Sequence, residues 1–310
     1  MINKKSKIYI AGHKGMVGSS LVRLFQKKGY TNLLTRTKKQ LNLLDQSKTY
    51  AYLKKQKPDA VIIAAAKVGG IHANNEYRAD FIYQNLQIQN NLIHGSYLAG
   101  VKKLIFLGSS CIYPRDCKQP IKEEYLLTGP LEQTNEPYAI AKISGLKMIE
   151  NYNRQYNTNY LCLMPCNLYG PNDNYDLNNS HFLPALLSKC MFAKKNNLNF
   201  VEVWGDGKAK REVMFVDDLA DASLFFLKKK TSHNIINVGT KNEYSIAEYF
   251  EIISKKIGLK AKIKFNRSMP NGTPRKILDN SISKRYGWTY NVNLRQGLET
   301  TINDYKKNIL

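Results

Sequence analysis

Short apolar runs recur along the first half of the chain, and stretches with helical spacing separate them. The runs predicted to form buried strands are residues 8–11, 33–34, 60–64, 103–107 and 160–164. A helical stretch containing residues 21–25 follows the first run, and a long helix is predicted to begin near Pro137. Strands separated by helices are joined by right-handed crossovers, which favour parallel pairing. The pattern therefore predicts an α/β fold with a doubly wound parallel sheet of the Rossmann type.

The alternation loosens from about Gly170 onward. Residues 172–180 are polar and turn-like, and two short segments, 201–204 and 261–265, lie between helical stretches. We predict a Rossmann domain over residues 1–170, with segments at about 210–240 returning to it. The remaining chain, residues 171–310, is predicted to form mostly a smaller α/β substrate lobe.

A glycine-rich turn follows the first predicted strand. Its sequence is Gly12-His13-Lys14-Gly15-Met16-Val17-Gly18, and it opens directly into a helix. Glycines permit the tight turn, the approach of backbone to a pyrophosphate and close helix–strand packing. The helix N-terminus offers free amides and a positive dipole end to the phosphates. A plain tight turn is the alternative, but the position between strand and helix favours a dinucleotide site.

The end of the second predicted strand bears on the choice of cofactor. An NAD site places an acidic residue there, about 20 residues after the glycine turn. This chain instead has Thr35-Arg36-Thr37-Lys38-Lys39. Positive side chains would bind a 2′-phosphate, so the sequence favours NADP over NAD. If these residues are only a solvated basic cluster, the sequence does not distinguish NADP from NAD.

A tyrosine and a lysine four residues apart, Tyr138 and Lys142, lie on one face of the helix that begins near Pro137. We expect the ammonium to lower the pKa of the phenol, so that the tyrosine can protonate a carbonyl oxygen that receives hydride. Ser109, just past a predicted strand, would hold the same carbonyl. Taken alone, this spacing is common by chance in surface residues.

Composition narrows the classes of protein. The chain has 310 residues, 43% of them hydrophobic, and no apolar stretch approaches the length of about 18 that spans a membrane. The five cysteines form no CxxC pair, so we expect neither a disulfide framework nor a metal site. The basic N-terminus is followed by a strand and not by a signal-peptide core. A cytoplasmic enzyme is the expectation.

The net charge of +23 raises nucleic acid as a partner. The lysines come as scattered doublets and one triplet, and no helix-turn-helix, zinc-finger or RNA-recognition motif accompanies them. Solvated lysine faces are therefore favoured over a nucleic-acid footprint. A dinucleotide-sensing regulator is a second non-enzyme alternative, but it would not need the intact Tyr138 and Lys142.

The glycine turn, Ser109 and the Tyr138–Lys142 pair, in this order and spacing, resemble the extended short-chain dehydrogenase/reductases. Longer sequence motifs are similar to those of the GDP-sugar 3,5-epimerase/4-reductases, which belong to that family. They are residues 64–71 (AAAKVGGI), 108–114 (GSSCIYP), 135–142 (NEPYAIAK), 164–171 (MPCNLYGP), 179–181 (NSH) and 272–276 (GTPRK). The resemblance covers nearly the whole chain. It implies epimerisation of GDP-4-keto-6-deoxy-D-mannose at C3 and C5, followed by NADPH-dependent reduction at C4 to GDP-L-fucose.

The resemblance also implies roles for individual residues. Ser109, Tyr138 and Lys142 would serve the ketone, Cys111 would be the base of the epimerisation and His181 its acid. A buried apolar cysteine and a solvated loop histidine are the alternatives for the last two. NADP(H) would be bound by Gly12, His13, Lys14, Gly15, Met16, Val17, Gly18, Arg36, Lys38, Asn42, Leu43, Leu107, Gly108, Ser109, Ser110, Tyr138, Lys142, Pro165, Cys166, Asn167, Leu168 and His181. The GDP-sugar would be bound by Asn167, His181, Lys189, Trp204, Arg211 and Arg275, with Lys276 as a further candidate. A homodimer through the helices following Asn85 and Tyr138 is also implied.

Two positions depart from the family's pattern. Lys189 stands where the pattern has arginine, and a point charge does not replace a bidentate fork conservatively. Cys166 stands where threonine is usual. The alternative reading is therefore a 4-keto reductase of a related GDP-4-keto-heptose for surface polysaccharide, with or without epimerase activity.

Overall fold

The computed structural model describes residues 2–177, 180–269 and 271–309. Twelve strands are named within these ranges: β1 (Ile8–Ala11), β2 (Leu33–Leu34), β3 (Ala60–Ile63), β4 (Lys103–Leu107), β5 (Asn159–Pro165), β6 (Asn167–Tyr169), β7 (Phe200–Trp204), β8 (Lys210–Phe215), β9 (Ile235–Val238), β10 (Glu243–Ser245), β11 (Lys262–Asn266) and β12 (Arg275–Lys276). The α-helices of the same ranges are α1 (Met16–Lys27), α2 (Gln46–Gln56), α3 (Ile71–Glu76), α4 (Arg78–Leu98), α5 (Glu136–Tyr156), α6 (Phe182–Lys195), α7 (Val216–Leu227), α8 (Ile246–Ile257), α9 (Ser281–Arg285) and α10 (Leu294–Asn308).

Six parallel strands form the central sheet, in the order β2-β1-β3-β4-β5-β9. Strands buried on both faces are continuous apolar runs, and β1 and β3 are buried at every residue. The helices pack in two groups: α1 against α7, and α4 against α2 and α5. The predicted α/β fold with a doubly wound parallel sheet is confirmed. Its sixth strand, β9, comes from late in the chain.

A second hydrophobic core lies beside the sheet. It is built from residues of β6–β8, α6, α8 and α10, with Tyr169, Leu187 and Tyr249 among its buried members. Around it, β8 pairs with β10, β12 and β6, and β7 pairs with β11. The short segments that the sequence placed between helical stretches, 201–204 and 261–265, are therefore partners in one two-stranded parallel sheet.

The ends of several helices follow from local sequence. α8 begins with a capping box between Ser245 and Glu248 and ends at Gly258, which has a φ of +67°. α5 carries Pro137 in its first turn, where a missing N–H costs nothing. α1 begins directly after Gly15 with no side-chain cap, so its first amides stay available. The part of the chain that the structure describes contains no helix long and apolar enough to cross a membrane.

Candidate active site

A cleft of about 710 Å³ lies over the carboxyl ends of β1, β3, β4 and β5. Open parallel sheets bind ligands at this edge, where successive loops diverge. Most of the predicted cofactor residues line it: Gly12, Gly15, Met16, Val17, Gly18, Arg36, Lys38, Asn42, Leu43, Leu107, Gly108, Ser109, Tyr138, Lys142, Pro165, Cys166, Asn167, Leu168 and His181. His13, Lys14 and Ser110 are not in the lining. Segments far apart in the chain therefore meet in one cleft.

The glycine turn leaves no room for side chains at two of its three glycines. Gly12 has a φ of +87°, and a Cβ there would lie 2.6 Å from the amide nitrogen of Ala65. A Cβ on Gly18 would lie 2.6 Å from the carbonyl carbon of Gly12. At Gly15 the nearest atom, the carbonyl oxygen of Gly12, would be 3.6 Å away, so a Cβ there would make only an ordinary van der Waals contact. The turn is packed on its inner side and open on the side where a pyrophosphate would approach.

The basic residues after β2 line the same cleft. The guanidinium of Arg36 lies 5.2 Å from the centroid of the Tyr52 ring and donates a hydrogen bond of 2.7 Å to the carbonyl of Thr35. Lys38 is exposed. An acidic side chain is absent from the described lining at this end, so nothing there opposes a phosphate. Arg36 and Lys38 thus make this end of the cleft positively charged.

Lys142 is held in one position beneath the cleft. It is 3% exposed, its ammonium donates a hydrogen bond of 2.8 Å to the carbonyl of Leu107, and it lies 4.6 Å from the centroid of the Phe106 ring. Burial lowers the pKa of Lys142 to about 8. The ammonium is also 5.7 Å from the centroid of the Tyr138 ring.

The electrostatics of Tyr138 differ from the expectation. Burial, and then the nearby Cys111 thiol, raise the pKa of its phenol instead of lowering it. Desolvation outweighs the influence of Lys142, whose ammonium is engaged by Leu107. The raised pKa favours the neutral phenol of Tyr138, which is the form that can donate a proton.

Cys111 lies in a single 3₁₀ turn, Ser110–Ile112, that follows the end of β4. The residue is 7% exposed, and burial raises the pKa of its thiol. Four groups act in the opposite direction: Lys276 first, then Ser109, Lys142 and the backbone of Cys111 itself. The backbone N–H of Cys111 donates to the hydroxyl of Ser109 at 3.4 Å. The support that a thiolate would need therefore comes mainly from Lys276, which sequence reasoning had considered only for the sugar or diphosphate.

His181 is the N-cap residue of α6 and lines the cleft. The residue is exposed to solvent at the cleft. Desolvation of the imidazole by the surrounding atoms, and then the Lys276 ammonium, lower its pKa. A protonated His181 would therefore be a stronger acid than a free imidazolium.

The predicted sugar-binding residues are more dispersed than the predicted cofactor-binding residues, most of which line the cleft. Asn167 and His181 line the cleft. Lys189 lies 5.5 Å from the centroid of the Trp204 ring and donates to the carbonyl of Glu202 at 3.1 Å. These two form a separate pair beyond the cleft lining.

The two predicted arginines of the sugar site are held differently. Arg211 on β8 is half-buried, and a Cβ on Gly272 would lie 3.2 Å from its Nη2 atom. Arg275 forms an exposed ion pair of 2.7 Å with Glu243 and lines a small second cavity that also contains Cys111. Arg275 is thus engaged away from the main cleft.

Several cleft residues were not predicted individually. Leu41, Leu44, Gln84, Ile88, Asn172, Asp173, Asn174 and Ser180 also line the cleft. Burial raises the pKa of Asp173 to about 7, although the N–H of Asn174 opposes this. The polar stretch 172–180 was the signal for the last four of these residues, Asn172, Asp173, Asn174 and Ser180. Lys67, also in the lining, is braced by buried Asn85, whose amide bonds both the N–H and the carbonyl of Lys67 at 2.9 Å.

The chain is similar in sequence and structure to known proteins. The profile of the NAD dependent epimerase/dehydratase family matches residues 8–239. The chain is 50% identical over 310 residues to putative GDP-L-fucose synthase 2 of Arabidopsis thaliana, a match that covers 100% of this chain and 94% of that one. It is 46% identical to GDP-L-fucose synthase of Escherichia coli (strain K12), with 98% of each chain covered. The solved structure of GDP-mannoheptose C4 reductase from Campylobacter jejuni with NADP bound is 38% identical, with a TM-score of 0.91 over 99% of this chain and 100% of that chain.

The family profile covers most of the chain. The two synthases align with nearly the whole chain. The same regions build the parallel sheet, the glycine turn and the cleft described above. The chain therefore belongs to the NAD dependent epimerase/dehydratase family, within the extended short-chain dehydrogenase/reductases.

Proposed function

We propose that this enzyme uses NADPH to convert GDP-4-keto-6-deoxy-D-mannose into GDP-L-fucose, by epimerisation at C3 and C5 and reduction at C4. The observation that carries the proposal is the common cleft of Ser109, Tyr138 and His181. Cys111, two residues after Ser109, lines the small second cavity. Full-length identity of 46–50% to proteins named GDP-L-fucose synthase supports the same substrate.

The residues of the cleft fit a nicotinamide dinucleotide. Gly12 and Gly18 would let the turn approach the pyrophosphate, and the uncapped amides of α1 would bind it. Arg36 and Lys38 would hold the 2′-phosphate of NADP. When bound, NADPH supplies the hydride for the reduction. The match to a reductase solved with NADP bound supports this cofactor.

Epimerisation begins with proton removal at a carbon next to the ketone. The Cys111 thiolate takes the proton, an S–H bond forms, and the electron pair of the broken C–H bond moves to the C4 oxygen as an enolate. Hydrogen bonds from Ser109 and Tyr138 stabilise that oxygen. His181 then donates a proton to the opposite face of the carbon, and the ketone re-forms. Because C3 and C5 both flank C4, one ketone site serves both carbons.

Reduction requires a proton on the ketone oxygen. The phenol of Tyr138 donates it, and the pKa of this phenol, raised by burial, keeps the proton in place until the oxygen becomes basic. Ser109 orients the same oxygen. Lys142 anchors the helix through Leu107, and its positive charge stabilises the phenolate that is left behind.

A second function is favoured by one residue. Lys189 replaces the arginine of the family's pattern and lies against Trp204, so a different sugar could be bound there. The 38% identity to a GDP-mannoheptose C4 reductase points the same way. The alternative is reduction of a GDP-4-keto-heptose, with or without epimerisation.

One experiment separates the two functions. The enzyme is incubated with GDP-4-keto-6-deoxy-D-mannose and NADPH in D₂O, and the product is analysed by NMR. Deuterium at C3 and C5 together with the L-fuco configuration supports the main proposal. A reduced product without deuterium at these carbons supports the 4-reductase. No turnover with this sugar, but turnover with a GDP-4-keto-heptose, would also favour the alternative.

We infer a homodimer as the working form. Helices α4 and α5 pack against each other and leave large apolar side chains at the surface, Tyr83 with 63% and Ile140 with 39% exposure. Burial of such a surface against a second copy would be favourable. Light scattering should give a dimer, and Ile140→Glu should weaken it, whereas Phe192→Glu on α6 should not.

The proposed role of Cys111 requires a reduced thiol, which fits the cytoplasm.

A further inference from the structure

Lys276 is held in place from both sides. It ends β12, which pairs in parallel with β8 so that Lys276 lies opposite Arg211. The next two backbone amides are also fixed: the N–H of Ile277 donates to Gln119 Oε1 at 3.0 Å, and that of Leu278 donates to Glu212 Oε2 at 2.8 Å. Glu212 is fully buried. The position of the Lys276 backbone is thus set by two separate parts of the fold, strand β8 and the loop that carries Gln119.

The side chain of Lys276 shares a small cavity with Cys111. The cavity is lined by Ser110, Cys111, Tyr113, Pro114, Arg115, Gln119, Ile121, Glu132, Asn135, Thr273, Arg275 and Lys276. Within the described ranges, the ammonium of Lys276 forms no hydrogen bond and no ion pair. The other two cations of the cavity have partners, since Arg275 pairs with Glu243 and Arg115 with Glu132. Lys276 is therefore the cation left for the thiol.

Other charged or titratable groups also face this pair. Around Cys111 they are Lys142 and Tyr138 on α5, and around Lys276 they are Arg211 on β8, His181 before α6, Cys117 and Glu132. Burial lowers the pKa of Lys276, and the Cys111 thiol is the first group that opposes this. Each partner thus favours the charged form of the other.

The chemistry of the proposed base needs this support. A thiol is a poor base, and a thiolate in an apolar pocket is costly unless a cation lies beside it. Lys142 cannot supply all of the support, because its ammonium is already bound to the carbonyl of Leu107.

We propose that Lys276 is a positioning residue of the epimerisation: its ammonium lies across the cavity from Cys111 and stabilises the thiolate that takes the proton from carbon. This inference rests on the proposed role of Cys111 as base. The thiolate forms when the S–H bond of Cys111 breaks and its proton passes to solvent water, while Lys276 keeps its own proton. When the thiolate takes a proton from carbon, an S–H bond forms and Lys276 stays protonated.

The test measures Cys111 in the full-length enzyme without substrate. Thiolate absorbance near 240 nm is titrated with pH, and the same titration of Cys111→Ser is subtracted. Lys276→Met should move the Cys111 transition to higher pH by at least about one pH unit, which makes the thiolate fraction about tenfold smaller at any pH below the transition. Lys276→Arg should restore most of it. Lys118→Met, which removes an exposed lysine from the neighbouring loop, should leave the transition unchanged.

A parallel readout connects the pair to catalysis. Deuterium exchange at C3 and C5 in Lys276→Met should fall by the same factor as the thiolate fraction and recover at higher pH, with KM for the sugar nearly unchanged. An unmoved Cys111 titration in Lys276→Met, or in Lys276→Gln if the methionine variant does not fold, would overturn the pairing. A raised KM with an unmoved titration would mean that Lys276 binds the diphosphate. Full exchange in Cys111→Ser would overturn the proposed base itself, separately from the titration.

Discussion

Lys142 donates a hydrogen bond of 2.8 Å to the carbonyl oxygen of Leu107. Leu107 ends β4, two residues before Ser109, and Lys142 lies one helical turn after Tyr138 on α5. The bond therefore fixes the helix that carries the phenol against the strand that carries the serine. Because Lys142 is 3% exposed, water does not compete for this bond. One lysine thus sets the spacing of the two side chains proposed to hold the ketone.

Tyr138→Phe removes the proposed proton donor and little else. We expect the rate of ketone reduction to fall by about 10²–10⁴, because general acid catalysis contributes about that much. Binding of NADPH, followed by fluorescence titration, should persist. Tyr156→Phe changes an exposed tyrosine on the same helix and should keep the full rate. A near-normal rate in Tyr138→Phe would mean that the proton comes from another group.

The buried Lys142 should make stability depend on pH above neutrality. Its pKa is lowered to about 8 in the fold, whereas a free lysine has a pKa of about 10.4. Between these values the unfolded chain binds the proton and the folded chain does not, so stability rises with pH there. The free energy of unfolding of the wild type relative to Lys142→Met should therefore increase from about pH 8 to pH 10. Urea unfolding at several pH values measures this, and a constant difference would contradict it.

Arg36 and Lys38 should determine the choice between NADPH and NADH. We expect the wild type to prefer NADPH, and Arg36→Ala with Lys38→Ala to lower that preference about tenfold to a hundredfold, because charge-assisted hydrogen bonds to the 2′-phosphate are lost. The ratio of kcat/KM for the two cofactors gives the result. Lys39→Ala, outside the cleft lining, is the control and should keep the preference. Equal use of both cofactors by the wild type would refute the assignment.

Cys111→Ser and His181→Gln should separate the two half-reactions. Proton exchange at C3 and C5 needs a thiolate, which a serine hydroxyl cannot replace. Cys111→Ser should therefore lose deuterium incorporation but still oxidise NADPH with a 4-keto sugar, because Ser109 and Tyr138 remain. Cys117→Ser, which removes a half-buried thiol nearby, should keep exchange. Exchange that persists in both His181→Gln and Cys111→Ser would make those residues structural.

Two glycines of the turn should respond differently to alanine. Gly18→Ala places a Cβ against the carbonyl of Gly12, and we expect a loss of about 1–3 kcal/mol of stability from overpacking. Gly15→Ala has space in the fold and should melt like the wild type. It should still weaken NADPH binding, because its Cβ points toward the side where the pyrophosphate would lie. Thermal unfolding and cofactor titration together test this pair, and equal melting temperatures for both variants would be the contrary result.

Much of the fold could be predicted because the deciding interactions are local or periodic. A parallel strand buried on both faces needs a continuous apolar run, so β1, β3, β4 and β5 are visible in the sequence. A tight turn with positive φ needs glycine, so the dinucleotide turn is visible at Gly12. The pairing of β7 with β11 was not visible, because both strands are short and only packing sets their partner.

The properties of the candidate site also fall into those that local sequence predicts and those that depend on tertiary packing. The amino-acid sequence is enough to identify side chains that could act, since the spacing of Tyr138 and Lys142 on one helix face is a property of the chain. The charge state and partners of the site residues depend on the folded structure: burial raises the pKa of Tyr138, Glu243 engages Arg275, and Lys276 lines one cavity with Cys111. Desolvation and charge pairing depend on which distant segments meet, and no local pattern of residues carries that information.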